Sequence, residues 1–218
     1  MKRIVILVSG DGSNFQAILN SCKKKEIFGR IVAVVSDNCQ AFAIERARVA
    51  HISTHVLVPA PLHKEEHIFN QELMQVVDLY SPDLVILAGY MRILNADIVA
   101  SYSGRILNIH PSLLPKYPGL YTHRKAIQNS DAQHGASVHF VTDKIDEGPV
   151  IVQARVPVFH NDSEYTLSMR VKEQEHSIYP LAVKWFTEGR LKMHNNAAWL
   201  DGYRLPQSGY IDVIERSL

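Results

Sequence analysis

The sequence predicts an α/β protein built on an open, mostly parallel sheet with helices on both faces. Three observations support this fold class. Short β-branched runs alternate with helical patterns through the first half of the chain, which is typical of strand–helix–strand units and of a parallel sheet covered on both faces. The segments between the runs place apolar residues at helical period. The 218 residues are 46% hydrophobic and 21% charged, a composition that can form a large buried core.

The first half predicts five strands and three helices. The helices carry apolar positions at helical period, for example Phe69, Leu73 and Val77 in the third. The strands are Ile4–Val8, Ile31–Val35, His55–Val58, Leu84–Ala88 and Arg105–Ile109, and the helices are Asn14–Lys24, Ala41–Ala50 and Lys64–Tyr80.

The pattern changes after the fifth strand. His110–Gly119 holds three prolines and a glycine, so it predicts a structured loop. Gly135–Val158 predicts two strands joined by a turn around Asp143–Pro149. A long helix from about Ser163 to Glu188 follows, and Gly189 is a plausible stop for it. The tail from residue 195 shows no clear period.

Bulk composition excludes several classes of protein. The formal charge of +1 gives no broad basic field, so neither nucleic acid nor a membrane is expected as a partner. The apolar run Ile4–Val8 is too short for a signal peptide, and no stretch approaches a spanning helix. Cys22 and Cys39 are expected to be reduced thiols. We therefore expect a cytoplasmic protein with a single domain, residues 1–218.

Ser9–Asn14 lies between the first predicted strand and the first helix and contains two glycines. Glycines let backbone amides approach an anion, and the start of a helix adds unpaired donors. Phe15 stands where a dinucleotide-binding loop has its third glycine, although Asp37 could contact a ribose. The segment predicts a phosphate or nucleotide site, and the alternative is a tight turn capped by Ser13.

Asn108 and His110 lie at the carboxyl end of the fifth predicted strand, where parallel sheets place their ligands. Side chains alternate along a strand, so both point to the same side. An amide and an imidazole can both donate to an oxygen that becomes negative during attack on a carbonyl. No nucleophilic Cys or Ser context stands nearby, which favours direct attack by an amine substrate. The alternative is a histidine bonded to loop backbone and an asparagine capping the strand.

Asp146 lies on a turn that is followed by Gly148 and Pro149. Aspartates on turns are usually solvated or cap their own backbone. On this pattern alone Asp146 is a weak candidate for catalysis.

Together these segments resemble the folate-dependent formyltransferase family, and the resemblance runs nearly end to end. The proline-rich segment is very specific to this family. Glu173–His176 and Asn195–Gly202 favour the glycinamide branch over its relatives. The stretches that carry the resemblance are Val8–Gly10, Gly12–Asn14, Ala88–Leu94, Leu107–Gly119, His134–His139 and Asp146–Pro149.

The resemblance implies a Rossmann-like formyltransferase fold and a metal-free reaction in purine (IMP) biosynthesis. The formyl group of 10-formyltetrahydrofolate, a co-substrate, would pass to the amine of phosphoribosylglycinamide (GAR). The implied catalytic set is Asn108, His110 and Asp146. Asn108 and protonated His110 would stabilise the oxyanion, and Asp146 would raise the pKa of His110. The implied partners are these two small molecules, and the protein would be a monomer or weak homodimer.

The resemblance also implies binding residues. The half 1–100 would bind the ribotide, and the half 101–218 would bind the folate and carry out the chemistry. The ribotide phosphate would lie on Gly12, Ser13 and Asn14, and the glycinamide on Glu175. The folate would contact Met91, Arg92, Ile93, Leu94, Asn108, Thr142, Asp143, Lys144, Ile145 and Asp146.

One position departs from the family pattern. In many relatives an arginine early in the third helix contacts the folate tail, whereas Glu65 or Glu66 stands there in this chain. A glutamate would repel the glutamyl carboxylate of the folate. Lys64 could substitute, so this contact is left unassigned.

Four other functions are considered. A non-catalytic phosphoribosyl or nucleotide sensor could use the same glycine loop. Within the family, formyltetrahydrofolate hydrolase and the transfer-RNA formyltransferase carry an extra domain, which the length of this chain disfavours. Finally, His63–His67 fits a zinc peptidase pattern, but it lies at a predicted surface helix start and has no third ligand that can be placed.

Overall fold

The computed structural model describes residues 1–58 and 66–211. The first elements are β1 (Lys2–Val8), α1 (Ser13–Lys23), β2 (Gly29–Ser36), α2 (Phe42–Val49), β3 (Ser53–Val56), α3 (Glu66–Leu79), β4 (Leu84–Leu87) and α4 (Ala96–Ser101). The next are β5 (Ile106–His110), α5 (Thr122–Gln128), β6 (Gln133–Phe140), β7 (Val150–Pro157), α6 (Glu164–Thr187), β8 (Leu191–His194), β9 (Ala197–Leu200), β10 (Tyr203–Arg204) and β11 (Tyr210–Ile211).

The chain forms two compact units, Met1–Leu107 and Asn108–Leu218. In the first unit the strand order is β4-β1-β2-β3, and every neighbouring pair is parallel. Residues Ile4–Val8 of β1 have no exposed surface, as expected of a parallel strand buried on both faces. The α/β class with a mostly parallel sheet is confirmed, while the single domain stays a prediction.

In the second unit β6 and β7 form an antiparallel pair, and β11 runs parallel to β7. The helix α6 begins at the N-cap Ser163, whose side chain accepts a hydrogen bond from the Thr166 amide. It ends before Gly189, which has a φ of 76°. The predicted long helix and its glycine stop are therefore confirmed.

Several boundaries and elements differ from the prediction. β3 begins two residues before the predicted His55. The short helices α4 and α5 were not predicted. The tail, which shows no clear period, contains the antiparallel sheet β10-β9-β8. The predicted start of α3 at Lys64, with Glu65, lies outside the described residues.

The described ranges 1–58 and 66–211 contain no helix long and apolar enough to cross a membrane. Cys22 and Cys39 are both free thiols, as predicted. The part of the chain that the structure describes contains no group of three or more side chains arranged for a metal. Most of the zinc peptidase pattern His63–His67 lies outside that part.

Candidate active site

The glycine loop of the first unit is held by its own backbone and by neighbouring strands. Gly12 is the N-cap of α1 with a φ of 77°, and no side chain caps the helix. The predicted alternative of a cap by Ser13 is therefore wrong. A Cβ at Gly12 would lie 2.5 Å from the Cβ of Ala43, so only glycine fits between α1 and α2. The first amides of a helix have no partner within the helix, so the start of α1 is a geometry suited to an anion.

Ser9 fixes the other end of the same loop. Its amide donates to the Gly89 carbonyl at 3.1 Å, and its hydroxyl accepts from the Met91 amide at 2.9 Å. The side-chain amide of Asn38 donates to the Ser9 carbonyl at 3.1 Å. The loop is thus bonded directly to the segment that begins at Met91, which the family resemblance assigns to the folate.

That segment presents apolar side chains to solvent. Met91 and Ile93 are each 68% exposed, whereas Leu94 is buried. The guanidinium of Arg92 lies over the ring of Phe69 and 3.8 Å from the Glu66 carboxylate. Glu66, one of the two glutamates that could occupy the position departing from the family pattern, therefore contacts a predicted folate residue.

The second unit brings the predicted catalytic residues together. His110 at the end of β5 is 5% exposed, and its Nδ1 lies 3.3 Å from Oδ2 of Asp146. The Asn108 amide nitrogen lies 3.5 Å from Oδ1 of Asp146. The Gly119 amide donates to Oδ2 of Asp146 at 2.9 Å. The carboxylate that looked like an ordinary turn aspartate is thus anchored beside the other two side chains.

The backbone of Asp146 explains how the turn delivers this side chain. Asp146 has a φ of 54°, in the left-handed region that Asp tolerates better than most residues. Burial raises the pKa of Asp146, but the nearby His139 ring, the bond from the Gly119 amide and the neighbouring His110 together outweigh burial, and the net pKa lies below its ordinary range. The carboxylate is therefore ionised at neutral pH.

The second ring nitrogen of His110 fixes its tautomer. Nε2 lies 2.8 Å from the Tyr117 carbonyl, which can only accept, so Nε2 carries a proton. Burial lowers the pKa of His110, and this effect outweighs the opposing effects of Asp146 and the Tyr117 carbonyl. Asp146 raises the pKa of His110 as predicted. The prediction that this pKa lies above its ordinary value is wrong, because desolvation of the buried ring was left out.

The proline-rich loop is held by a buried polar network. The Ser137 hydroxyl donates to the Ser112 carbonyl at 2.6 Å and accepts from the Leu114 amide at 3.0 Å. Gln153 donates to the Leu114 carbonyl at 2.8 Å and to the Ser137 hydroxyl at 2.9 Å. Farther along the loop, the Tyr117 hydroxyl donates to Asp131 at 2.8 Å. The loop that carries the His110 acceptor is therefore rigid.

Sequence reasoning missed His139. Its Nε2 lies 3.1 Å from the Asn108 amide nitrogen and 3.6 Å from Oδ1 of Asp146. The ring is 2% exposed. His139 ends the stretch His134–His139, which carried the family resemblance but no assigned role, and nothing in its spacing indicates the contact.

The remaining predicted residues lie on the same unit. Thr142 is partly buried, and the next three residues of the turn, Asp143, Lys144 and Ile145, are exposed. Glu175 on α6 is buried. These positions allow the predicted contacts with ligands, and their roles stay predictions.

A cavity of about 630 Å³ adjoins the Asp146 turn. Leu114, Pro115 and Leu205 line it with Asp146 itself. Asp146 therefore borders a space whose volume is in the range of small-molecule sites.

Several known proteins resemble this chain over nearly its whole length. A family model described as formyl transferase matches residues 2–183. The phosphoribosylglycinamide formyltransferase of Escherichia coli (strain K12) is 58% identical over 207 residues, covering 95% of this chain and 97% of that protein. The protein of the same name from Haemophilus influenzae is 44% identical over 96% of this chain and 99% of its own length. A solved phosphoribosylglycinamide formyltransferase from Coxiella burnetii superposes with a TM-score of 0.90 at 45% identity, covering 96% of this chain and 98% of that one.

Proposed function

The chain belongs to the formyl transferase family, and we propose that it transfers the formyl group of 10-formyltetrahydrofolate to the amine of phosphoribosylglycinamide in purine biosynthesis. Similarity to enzymes of that name over nearly the whole chain supports this substrate pair. The single observation that carries the chemistry is that the Asp146 carboxylate lies 3.3 Å from His110 and 3.5 Å from Asn108.

The reaction forms one carbon–nitrogen bond and breaks another. The ribotide amine attacks the formyl carbon, and negative charge develops on the formyl oxygen. The N–H of Asn108 is a donor for this charge, and preorganised donors stabilise such an oxyanion strongly. Collapse of the intermediate breaks the bond to N10 of the folate. One proton must leave the attacking nitrogen, and one must reach the leaving nitrogen.

His110 and Asp146 supply the path for that proton. The proton on His110 Nε2 is held by the Tyr117 carbonyl, so only Nδ1 faces Asp146. Burial lowers the pKa of His110, so the neutral ring has a free lone pair at Nδ1. This nitrogen takes up a proton as negative charge grows beside it. It can then donate to the oxyanion or the leaving nitrogen. Ionised Asp146 stabilises a proton on Nδ1 of His110. It can also receive the proton of the attacking amine, directly or through water.

The binding assignments are part of the proposal. Gly12, Ser13 and Asn14 bind the ribotide phosphate through the start of α1, and Glu175 contacts the glycinamide. The folate contacts the segment Met91–Leu94 and the turn Thr142–Asp146. The exposed apolar side chains of Met91, Ile93 and Ile145 support this assignment, because flat aromatic ligands bind against apolar surface.

The proposal extends to the form of the protein. We infer one domain spanning residues 1–218, a monomer or weak homodimer, a cytoplasmic location and no metal. The chemistry above needs only side chains of this chain and the two small molecules.

Turnover with both substrates tests the function. Purified protein is mixed with phosphoribosylglycinamide and 10-formyltetrahydrofolate in the presence of a chelator, and deformylated folate is monitored. The proposal predicts turnover that requires the ribotide and survives the chelator. Loss of formyl-folate without the ribotide would indicate a hydrolase. No turnover with any amine would favour a non-catalytic sensor.

A further inference from the structure

The pairing of β6 with β7 changes at His139. The two strands pair residue for residue from Gln133 to Val138, and then His139 pairs with Val150, so β7 contains one residue more than β6 at this point. Bulges of this kind re-aim side chains and occur often beside active sites. This bulge lies where β6 reaches the turn that carries Asp146.

The bonds of the His139 ring define its tautomer. Nδ1 lies 2.8 Å from the Phe140 carbonyl, an oxygen that can only accept, so Nδ1 carries a proton. In the neutral ring Nε2 is then a bare acceptor. The Asn108 amide nitrogen lies 3.1 Å from it and donates one of its two hydrogens.

This arrangement selects one of the two orientations of the Asn108 amide. If the amide turned over, its oxygen would face the lone pair of His139 Nε2 and the Asp146 carboxylate. Both would repel it. In the observed orientation the amide nitrogen lies 3.1 Å from His139 and 3.5 Å from Oδ1 of Asp146. The NH2 group of Asn108 therefore points toward the Asp146 carboxylate.

We propose that His139 is a positioning residue, which holds the Asn108 amide with its N–H toward the reacting formyl oxygen. This inference rests on the function proposed above. His139 acts only through Asn108 and Asp146. Its removal therefore leaves binding intact but lets the amide rotate, so that the oxyanion donor is present for part of the time only.

Two substitutions distinguish the two hydrogen bonds of the His139 ring, one to the Phe140 carbonyl and one from Asn108. His139→Asn keeps an amide donor near the position of Nδ1, where it can still reach the Phe140 carbonyl, but removes the acceptor for Asn108. His139→Gln places an amide oxygen near the position of Nε2 and keeps that acceptor. We expect H139N to lower kcat by roughly 10- to 100-fold, since small misplacement of reacting groups costs this much. KM for both substrates should change little, and H139Q should recover most of the loss.

A double-mutant cycle links the effect to Asn108. In an N108A background there is no amide to orient, so H139N should cause a much smaller further loss of kcat than it causes alone. His134→Asn is the matched control, because His134 lies on the same strand and is 1% exposed. Its effect should combine additively with N108A. Additive behaviour of H139N, or a loss confined to KM, would overturn the proposal.

The tautomer is tested without any turnover. Two-bond proton–nitrogen correlations of the wild-type protein near pH 7 should show His139 protonated at Nδ1 and bare at Nε2. A neutral ring with its proton on Nε2 would overturn the proposal. The measurement uses the wild-type protein, so it does not depend on whether the variants fold. Because this spectrum needs no substrate, it also separates a failure of this inference from a failure of the proposed function.

Discussion

Nδ1 of His110 lies 3.3 Å from Oδ2 of Asp146, and the other nitrogen of the same ring is bonded to the Tyr117 carbonyl. The ring is therefore fixed at one nitrogen and open to protonation at the other. Burial of the ring and the charge of Asp146 act on its pKa in opposite directions.

Replacing Asp146 by Asn should lower the pKa of His110 further. Asp146 is the nearby anion that raises this pKa, so its removal leaves burial unopposed. The imidazolium is then lost at a lower pH as the pH rises. An NMR titration of the ring measures the change. Glu147→Gln, on the same turn and exposed, is the control and should leave the pKa unchanged. A pKa of His110 that is higher in D146N than in the parent would contradict this account.

Replacing Gly12 by Ala should weaken binding of the ribotide. The new Cβ would lie 2.5 Å from that of Ala43, at a φ of 77°, so the turn at the start of α1 must shift. We expect KM for the ribotide to rise at least tenfold and stability to fall by about 1–3 kcal/mol. Gly10→Ala is the matched control, because a Cβ there has no neighbour within 4 Å. Equal effects of the two substitutions would argue against the proposed phosphate site.

Replacing Gln153 by Met should destabilise the second unit. Met has similar size but cannot donate to the Leu114 carbonyl and the Ser137 hydroxyl. Unsatisfied buried groups cost about 1–3 kcal/mol each, so urea unfolding should show a loss of roughly 2–4 kcal/mol. Gln133→Met on exposed β6 surface should stay within about 0.5 kcal/mol of the parent. A loss in Q153M no larger than this control would rule out the network as a support of the loop.

Replacing Asp162 by Asn should remove a pH-dependent part of the stability. Asp162 bonds Arg170 through both oxygens at 2.8 and 2.9 Å, and this contact holds the pKa of Asp162 well below its ordinary range. A depressed folded pKa stabilises the protein above the unfolded pKa of about 3.9, and this contribution is lost as the pH falls through the folded value. D162N should cost about 1–2 kcal/mol at pH 7. The difference from the parent should shrink below pH 4, and urea titrations at several pH values measure it. A difference that stays constant with pH would exclude the ion pair as its cause.

The sequence predicts the alternating strands and helices of the first unit well. Strands buried on both faces are continuous apolar runs, which are easily recognised. Ile4–Val8 is such a run, and it forms β1. The helix α4 has only six residues, too few to show a helical period. The hairpin between β8 and β9 turns on Asn195 and Asn196, both with positive φ. This Asn–Asn pair was a usable signal for a tight hairpin.

The candidate site was predicted in part. Asn108 and His110 follow from alternation along one strand, whereas Asp146 entered through the family resemblance. The role inferred for His139 depends on a bulge in strand pairing, and register shifts of this kind leave no mark in the local sequence. The lowered pKa of His110 depends on burial of the ring. The prediction from sequence considered only the neighbouring charge of Asp146, so it missed this effect.

The most direct test of the proposed chemistry is the steady-state rate of N108A with both substrates in the presence of a chelator. Asn108 is assigned as the oxyanion donor, so kcat should fall by roughly a hundred- to a thousandfold, with KM for the ribotide and the folate within about threefold of the parent. A kcat within about threefold of the parent would contradict the proposed role of this side chain and the mechanism with it.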